Sequence, residues 1–251
     1  MLDSVSEGAV LVTGASGGIG SAVAQHLARL GYFVIVHSHS DASAGLGVKA
    51  TIEEAGGRAA HLSADLRNPE AVDSMFKQIT ALGKPLHGLV NNAGRTDPTD
   101  FAVGTDEHWM DQFETNFMSA LRCSRLASPL LAKGGNGWIT NIASIRGLPH
   151  AARPGVMAYA AAKAALVNLT KTLAQELAPN VRVNAIAPGI VETPYLSRVD
   201  PEIIAGWRQS TLIKRFVSPQ EIAQAVAFLA GLEAMTGSVV VVDGGTTSIA
   251  V

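Results

Sequence analysis

Short runs of β-branched residues alternate with longer stretches of helical spacing along the whole sequence. We predict strands at 9–13, 33–37, 59–63, 88–91, 138–142, 182–187 and 238–242, with helices in most of the intervals. The run Val10-Leu11-Val12 is apolar without alternation, as expected for a strand buried on both faces. The alternation predicts one α/β domain over residues 1–251, a doubly wound sheet of about seven parallel strands with helices on both faces.

The composition excludes several classes of protein. The chain has 251 residues, of which 47% are hydrophobic, so it can build a substantial core. Its formal net charge of -2 supplies no basic field for a nucleic acid. No apolar run approaches the roughly 20 residues that span a bilayer, and residues 1–9 lack the basic start of a signal peptide. We therefore expect a soluble, cytoplasmic protein that binds neither nucleic acid nor membrane.

The sequence contains a single cysteine, Cys123, inside a stretch of helical spacing. One cysteine can form neither a disulfide framework nor a cysteine-based metal site within one chain. We predict a buried structural thiol and no metal.

A glycine-rich turn follows the first predicted strand. It reads Thr13-Gly14-Ala15-Ser16-Gly17-Gly18-Ile19-Gly20, and a helical run over 21–30 comes next. Glycines let the chain turn sharply and bring bare amides to a diphosphate, while the helix N-terminus adds a positive dipole end. Strand, glycines and helix occur in the order that a dinucleotide-binding motif requires. We predict cofactor contacts from Gly14, Ser16, Gly17, Gly18, Ile19 and Gly20.

The residues after the second predicted strand bear on the choice between NAD(H) and NADP(H). They read His37-Ser38-His39-Ser40, with no carboxylate before Asp41. An acidic side chain at this place binds a free ribose 2′-hydroxyl and repels a 2′-phosphate, so its absence favours NADP(H), with NAD(H) as the alternative. Ser38, His39 and Ser40 are the candidate contacts. No arginine is present here to bind the phosphate, and both histidines could simply be solvated loop residues.

Tyr159 and Lys163 are four residues apart in a helical run that reaches Ala178. They therefore share one helix face, about one turn apart. A free phenol titrates near pH 10, so bringing it to about 7 needs about 4 kcal/mol of phenolate stabilisation. A lysine ammonium and an oxidised nicotinamide in a water-poor cleft can supply this. The pair predicts a hydride-transferring enzyme in which Tyr159 is the acid/base.

Taken together, these motifs resemble the short-chain dehydrogenase/reductase family over essentially the whole chain. Asp65-Leu66 is similar to the family's adenine contact, Asn91-Asn92-Ala93-Gly94 to the motif that ends its fourth strand, and Pro188-Gly189-Ile190-Val191-Glu192-Thr193 to the segment that packs on the nicotinamide. The resemblance implies a Rossmann domain. It also implies cofactor contacts from Asp65, Leu66, Asn92, Ala93, Gly94, Tyr159, Lys163, Pro188, Gly189, Val191 and Thr193.

The resemblance further implies a catalytic tetrad of Asn116, Ser144, Tyr159 and Lys163. Ser144 would hydrogen-bond the substrate oxygen, Tyr159 would pass the proton, and Lys163 would hold the nicotinamide ribose and lower the tyrosine pKa. Asn116 would bend its helix and anchor a water in a proton relay through Lys163. In the alternative interpretation, Ser144 only caps a turn and Asn116 only bonds to backbone.

Within the family, the chain resembles the 3-oxoacyl-carrier-protein reductases most, through the Ala-Pro-Gly-x-x-x-Thr run at 187–193 and the segments 218–223 and 242–245. Sugar, steroid and small-alcohol dehydrogenases share these features. Carrier-protein reductases carry basic residues near the site entrance, where this chain has Gly134, Gly135, Asn136, Pro179 and Asn180. We predict a small-molecule ketone or secondary alcohol as substrate, with reduction of a 3-oxoacyl thioester as one possibility and an acyl carrier in doubt.

Two segments would border the substrate. The irregular segment 193–216 is a candidate substrate lid, or else an ordinary helix pair over a core edge. The stretch 146–157 would wall the pocket and carries Arg146, His150 and Arg153. These three side chains could bind an anionic substrate or face water, and we favour the second interpretation.

Three further expectations concern assembly and competing functions. The apolar end of the chain, 238–251, resembles a region that relatives bury across two-fold axes, so we predict a homotetramer, which light scattering can test. A sugar-nucleotide epimerase or dehydratase on the same fold is disfavoured, because those chains are longer and have a tighter glycine turn. A non-catalytic NAD(P)-sensing or binding protein typically lacks the Tyr or the Lys, and this chain has both.

Overall fold

The computed structural model describes residues 8–39 and 42–248, and it forms one parallel sheet of seven strands. The strands are β1 (Ala9–Val12), β2 (Phe33–Ser38), β3 (Arg58–Ser63), β4 (Leu86–Asn91), β5 (Gly137–Ile142), β6 (Val181–Pro188) and β7 (Val239–Val242). The helices are α1 (Gly18–Arg29), α2 (Ala42–Glu54), α3 (Pro69–Ala81), α4 (Asp106–Phe113), α5 (Ser119–Gly134), α6 (Met157–Glu176), α7 (Pro201–Gln209) and α8 (Pro219–Gly231). All seven predicted strands are confirmed, with bounds within two residues of those expected.

The strand order is β3-β2-β1-β4-β5-β6-β7, and every pair is parallel. After β3 the chain crosses over the sheet, so β4 lies on the opposite side of β1 from β2. Loops that leave the carboxyl ends of β1 and β4 therefore diverge and leave a crevice between them. The predicted doubly wound Rossmann topology is confirmed, and it brings the glycine turn after β1 next to Asn92 after β4.

Alternate side chains of the buried strands enter two separate cores. Val10 and Val12 pack in one core with α1, α2 and α8, while Ala9 and Leu11 pack in the other with α3, α5 and α6. Because both faces are covered, the central strands have no polar face, which explains the unbroken apolar run in the sequence. Cys123 lies in the second core, fully buried, and burial raises the pKa of its thiol to about 12. The predicted buried structural thiol is confirmed.

The segment 193–216 forms a 3-10 turn over Pro194–Arg198 followed by α7. No residue of α7 is buried, whereas Thr211 and Phe216 near the end of the segment are. Its role as a lid stays a prediction, and so does the alternative of an ordinary helix pair over a core edge. Among the described residues, no helix has the length and apolar character needed to cross a membrane.

Candidate active site

The glycine turn is held against the end of β4 by one buried hydroxyl. Thr13 Oγ1 donates to Val90 O (3.2 Å) and accepts from the backbone amides of Asn92 (2.9 Å) and Ala93 (3.0 Å). The Asn92 amide nitrogen donates back to the carbonyls of Thr13 (2.9 Å) and Gly14 (3.0 Å). These bonds fix the two strand ends that border the crevice.

Two glycines of the turn are required by its geometry. Gly14 has a φ of +62°, in the left-handed region that disfavours side chains. A Cβ on Gly20 would lie 2.3 Å from Gly14 O, so only glycine lets α1 approach the turn this closely. Gly17 is exposed, and nothing lies within 4 Å of where its Cβ would be, so the N-terminus of α1 is open to a ligand.

A cavity of about 420 Å³ lies beside this turn. Eight of the predicted cofactor residues line it: Gly14, Ser16, Gly17, His39, Asp65, Leu66, Ala93 and Gly94. Six residues that the sequence did not point to join them: His37, Ala64, Arg67, Arg95, Thr115 and Ser119. The cavity thus joins the ends of β1, β2 and β4 with the loop after β3.

The outer end of the cavity carries a group of charged side chains. Arg67 binds the Asp65 carboxylate with two nitrogens, Nε to Oδ1 (3.1 Å) and Nη2 to Oδ2 (2.9 Å). His39 Nε2 lies 3.4 Å from Asp65 Oδ2. The Arg67 hydrogen bond is the main reason that the pKa of Asp65 falls to about 2. The sequence singled out Asp65 and His39 but overlooked Arg67.

Ser38, another of the predicted contacts near the end of β2, does not line the cavity. Ser38 is buried, and its hydroxyl bonds to His61 Nε2 (2.8 Å) and Ser63 Oγ (3.2 Å) on the β3 side. The register of β2 against β3 places Ser38 opposite Ser63, which explains this side-chain direction. Ser40 lies outside the described residues.

The catalytic candidates meet at the carboxyl end of β5. Ser144 follows that strand, and its hydroxyl is close enough to the Tyr159 hydroxyl to lower the pKa of the phenol. Ser144 Oγ also accepts from Arg146 N (3.1 Å), so the residue caps a 3-10 turn in addition to contacting Tyr159. Burial raises the pKa of Tyr159, and the hydrogen bond from Ser144 and the Arg146 guanidinium act in the opposite direction.

Lys163 lies one helical turn beyond Tyr159 and is buried, with 4% of its surface exposed. Its Nζ donates to Ile142 O (2.8 Å) and lies 5.7 Å from the centre of the Tyr159 ring. Burial lowers the pKa of Lys163 to about 8. Ser144 and Arg146 both lower the tyrosine pKa here, and the lowering that the sequence analysis expects from Lys163 stays a prediction.

Asn116 is fully buried in a π-helical turn, Glu114–Met118, between α4 and α5. Its Nδ2 donates to Arg95 O (2.9 Å) and its Oδ1 accepts from Arg95 N (3.1 Å). A Cβ on Gly94 would lie 2.6 Å from Asn116 Oδ1 and 3.3 Å from Lys163 Nζ. The helix is therefore irregular at Asn116, as expected. Gly94 lines the cavity and also lies close to the Lys163 ammonium group.

The segment 188–193 leaves β6 and passes over the glycine turn. Pro188 ends that strand, and the next residue, Gly189, packs against Asp243, where a Cβ would lie 2.7 Å from its Cα. Val191 is buried and pairs with Val217. The Thr193 methyl lies 3.5 Å from where a Cβ on Gly18 would be, so the segment reaches the turn. Ile19, also in the turn, packs against the core.

The chain is similar to known reductases and dehydrogenases over nearly its whole length. A family model described as enoyl-(acyl carrier protein) reductase matches residues 14–247. A 3-oxoacyl-[acyl-carrier-protein] reductase of Synechocystis sp. is 37% identical over 239 residues, which cover 94% of this chain and 95% of the relative. The chain belongs to the short-chain dehydrogenase/reductase family.

Other relatives and a solved structure agree with this family. A cyclopentanol dehydrogenase of Comamonas sp. is 37% identical over 251 residues, covering 97% of this chain and 98% of the relative. The crystal structure of a dehydrogenase/reductase from Sinorhizobium meliloti 1021 has a TM-score of 0.90 and 33% identity, covering 97% of this chain and 96% of that one. This short-chain dehydrogenase/reductase is an NAD(P)-dependent oxidoreductase that acts on CH–OH and C=O groups.

One expectation about the substrate entrance is corrected. Residues 134–136 precede β5 and residues 179–180 precede β6, so both lie at the amino edge of the sheet. Ser144 follows the other end of β5, and a six-residue strand is about 20 Å long. The identities of these residues therefore do not bear on the entrance to the catalytic site of this enzyme.

His37 has a role in the dehydrogenase that the sequence did not indicate. It is 1% exposed; its Nδ1 accepts from Gly14 N (3.0 Å), and its Nε2 lies 3.0 Å from Ala64 O. An unprotonated Nδ1 and a protonated Nε2 satisfy both contacts, so the neutral ring connects the glycine turn to the loop after β3. Burial is the main reason that its pKa falls to about 4. The interpretation of His37 as a solvated loop residue is wrong, whereas His39 is exposed.

The low pKa of His37 predicts acid destabilisation. The pKa of His37 is 6.5 in the unfolded chain and about 4 in the folded one. Between these two pH values, the unfolded chain binds a proton at His37 and the folded chain does not. Stability contributed by the neutral ring is complete above pH 6.5 and is lost as the pH falls to about 4. The free energy of unfolding therefore decreases by on the order of 3 kcal/mol.

Urea denaturation should show a smaller decrease in the free energy of unfolding between pH 7 and 4.5 for His37→Gln than for the wild type. The exposed His150→Gln variant is the control, and parallel pH profiles for all three proteins would contradict the assignment.

Proposed function

We propose that Tyr159 is the general acid/base of this oxidoreductase and that Ser144, Lys163 and Asn116 complete its catalytic group. The observation that carries the proposal is the proximity of the Ser144 hydroxyl to the Tyr159 hydroxyl, with Lys163 buried one helical turn beyond the tyrosine. Two hydroxyls placed in this way can both reach one substrate oxygen. The neighbouring cation provides the electrostatic environment that a transient phenolate needs.

In the reducing direction, Tyr159 gives its proton to the substrate oxygen while Ser144 donates a hydrogen bond to the same atom. A bound nicotinamide supplies the hydride in this direction and accepts it in the other. The phenolate left on Tyr159 is stabilised by Ser144 and by the Arg146 guanidinium. Lys163 would hold the nicotinamide ribose, and Asn116 keeps the loop after β4 in place through Arg95. In alcohol oxidation the same tyrosine accepts the proton.

The residues around the cavity fit a dinucleotide. Gly14, Gly17 and Gly20 leave room for a diphosphate at the start of α1, and Thr115 Oγ1 is buried without a hydrogen-bond partner in the part of the chain described. Gly18 and Ile19 shape the turn, while Asp65 and Leu66 would contact the adenine and Asn92, Ala93 and Gly94 its ribose and diphosphate. Pro188, Gly189, Val191 and Thr193 would cover the nicotinamide.

We infer that the preferred cofactor is NADP(H). The Asp65 carboxylate is paired with Arg67 and lies close to His39, so a 2′-phosphate at the end of β2 would meet the Arg67 guanidinium and an imidazole rather than an unpaired carboxylate. His39→Asp places a carboxylate there and should lower the NADPH-to-NADH ratio of kcat/KM at least about tenfold, because like charges repel. Initial rates with both cofactors measure this ratio. His150→Asp, an exposed substitution of the same type, is the control, and an unchanged ratio in His39→Asp would contradict the preference.

Absorbance at 340 nm tests the function itself. NADPH or NADH is mixed with a panel of ketones, aldehydes and acetoacetyl thioesters, and we expect turnover of a ketone. The relatives named as a 3-oxoacyl-carrier-protein reductase and a cyclopentanol dehydrogenase support including thioesters and cyclic ketones. Tight cofactor binding without turnover of any compound would instead favour a non-catalytic NAD(P)-sensing protein.

We further propose that the chain acts as one catalytic domain in a homotetramer, with 193–216 as the substrate lid. Support for the assembly comes from β7, the edge strand, where Val241 is 41% exposed, and from Phe228 on α8, which is 56% exposed. Covering these side chains with another subunit would remove apolar surface from water. A cytoplasmic location agrees with the unpaired, buried thiol of Cys123.

A further inference from the structure

Arg146 lies next to the catalytic hydroxyls. It belongs to the 3-10 turn that Ser144 caps, and its Nη1 donates to Ala151 O (3.0 Å). The guanidinium is close enough to the Tyr159 hydroxyl for each to shift the other's pKa. Of the basic residues of this stretch, His150 is exposed, as expected for a side chain that faces water, whereas Arg146 is partly buried.

Arg153 connects the same stretch to the candidate lid. Its guanidinium carbon lies 4.6 Å from the centre of the Trp207 ring, a cation–π contact with α7. It also lies within electrostatic range of Arg146, whose pKa is lowered by burial first and by Arg153 second. Two like charges from the wall of the pocket therefore meet beside the lid.

Neither charge has a counterion in the part of the chain that the structure describes. Over residues 8–39 and 42–248, no carboxylate lies within 4.0 Å of either guanidinium, whereas Arg67, Arg95, Arg122 and Arg215 each have at least one. Arg182, which is buried, bonds to four backbone carbonyls, but Arg146 bonds to one. Arg146 thus keeps free N–H donors at a partly buried position beside a like charge. An anion would relieve the repulsion and occupy the donors.

We propose that Arg146 and Arg153 form an anion-binding subsite, so that the substrate of this enzyme is an oxo acid or hydroxy acid whose carboxylate contacts both guanidinium groups. This inference rests on the proposed function, because the subsite is tied to the reacting carbon through Ser144, whose Oγ accepts a hydrogen bond from Arg146 N (3.1 Å). The Trp207 ring would hold the Arg153 guanidinium in place through the cation–π contact, so that it can bind the substrate carboxylate. The subsite combines one residue of the pocket wall near the reaction with one that contacts the lid.

A matched pair of ketones tests the charge requirement. Acetoacetate and methyl acetoacetate carry the same reacting ketone and differ in the negative charge. We expect the wild type to prefer the acid, and Arg153→Gln to lower the acid-to-ester ratio of kcat/KM at least tenfold, mainly through the KM of the acid. Arg153 is chosen because Arg146 also stabilises the phenolate. Arg58→Gln removes an arginine charge at the amino edge of the sheet, far from Tyr159, and should leave the ratio unchanged.

The outcomes separate this inference from the proposed function. Turnover of the ester with no preference for the acid, or an unchanged ratio in Arg153→Gln, overturns the subsite and leaves the role of Tyr159 intact. A Tyr159→Phe variant that still reduces the ester overturns the proposed function instead.

A binding measurement does not depend on turnover. In the presence of NADP⁺, malonate should change the fluorescence of Trp207 in the wild type, and uncharged malonamide should not. Trp207→Phe identifies the signal among the three tryptophans of the chain. Arg153→Gln should weaken the malonate response at least tenfold. A wild type that does not respond to malonate, or an equal response in Arg153→Gln, also overturns the proposal.

Discussion

Replacing Tyr159 by Phe is expected to lower kcat by about 10²–10⁴-fold, the usual contribution of a positioned acid/base. The variant keeps the ring that faces Lys163 Nζ and loses only the hydroxyl near Ser144. Ser144 still caps its turn through Arg146 N, so the local backbone should persist. Rates at 340 nm with saturating ketone and NADPH measure the effect, and NADPH fluorescence titration should give nearly the wild-type affinity.

The control for this substitution is Tyr32→Phe. Tyr32 packs edge-to-face on Trp138 with ring centres 6.4 Å apart, in the core at the amino edge of the sheet. The Tyr32→Phe substitution removes the same phenolic hydroxyl at a position outside the proposed site. Wild-type kcat in Tyr159→Phe, or an equal loss in both variants, would contradict the assignment of the acid/base.

Replacing Gly20 by Ala is expected to disrupt both stability and cofactor binding. The new Cβ would lie 2.3 Å from Gly14 O and 2.5 Å from Asn92 Nδ2, and the first of these is a backbone atom that cannot move aside alone. The contact would push α1 away from the turn and break the bond from Asn92 to Gly14 O. Overpacking of this kind costs about 1–3 kcal/mol of unfolding free energy. Urea denaturation and NADPH titration measure the two effects.

Gly47→Ala is the matched control, because it adds the same methyl group to a helical glycine in α2 with nothing within 4 Å. Alanine has the higher helix propensity, so this variant should be more stable than the wild type by about 0.5–1 kcal/mol. If Gly20→Ala behaved like Gly47→Ala and bound NADPH normally, the close approach of α1 to the turn would not matter.

The strands were predictable because each depends on residues adjacent in the chain. An apolar run such as Val10-Leu11-Val12 must be buried on both sides wherever it lies, and the structure distributes its side chains between two cores. The pairing of Tyr159 with Lys163 was equally predictable, because two residues four positions apart in a helix lie on the same face. Neither inference needed knowledge of a distant contact.

The candidate site was less predictable after β2, where side-chain direction depends on strand register. Ser38 and His37 are neighbours, yet Ser38 bonds towards β3 and His37 bonds to the glycine turn. The sequence did not indicate a role for Arg67. Its pairing with Asp65 consists of two hydrogen bonds that depend on the conformation of the loop after β3. The absence of arginine near the end of β2 in the sequence therefore did not mean its absence in space.

The sequence by itself determined the parallel α/β architecture, the glycine turn at the start of α1, and the helix that carries Tyr159 and Lys163. All three follow from local chain geometry: the period of hydrophobic residues, the conformational freedom of glycine, and the pitch of a helix. Only the tertiary structure decided which basic side chains border the proposed site, since His37, Arg67, Arg146 and Arg153 reach their partners across loops and between strands. Electrostatic interactions act through space and not along the chain, so residues far apart in the sequence can share one field.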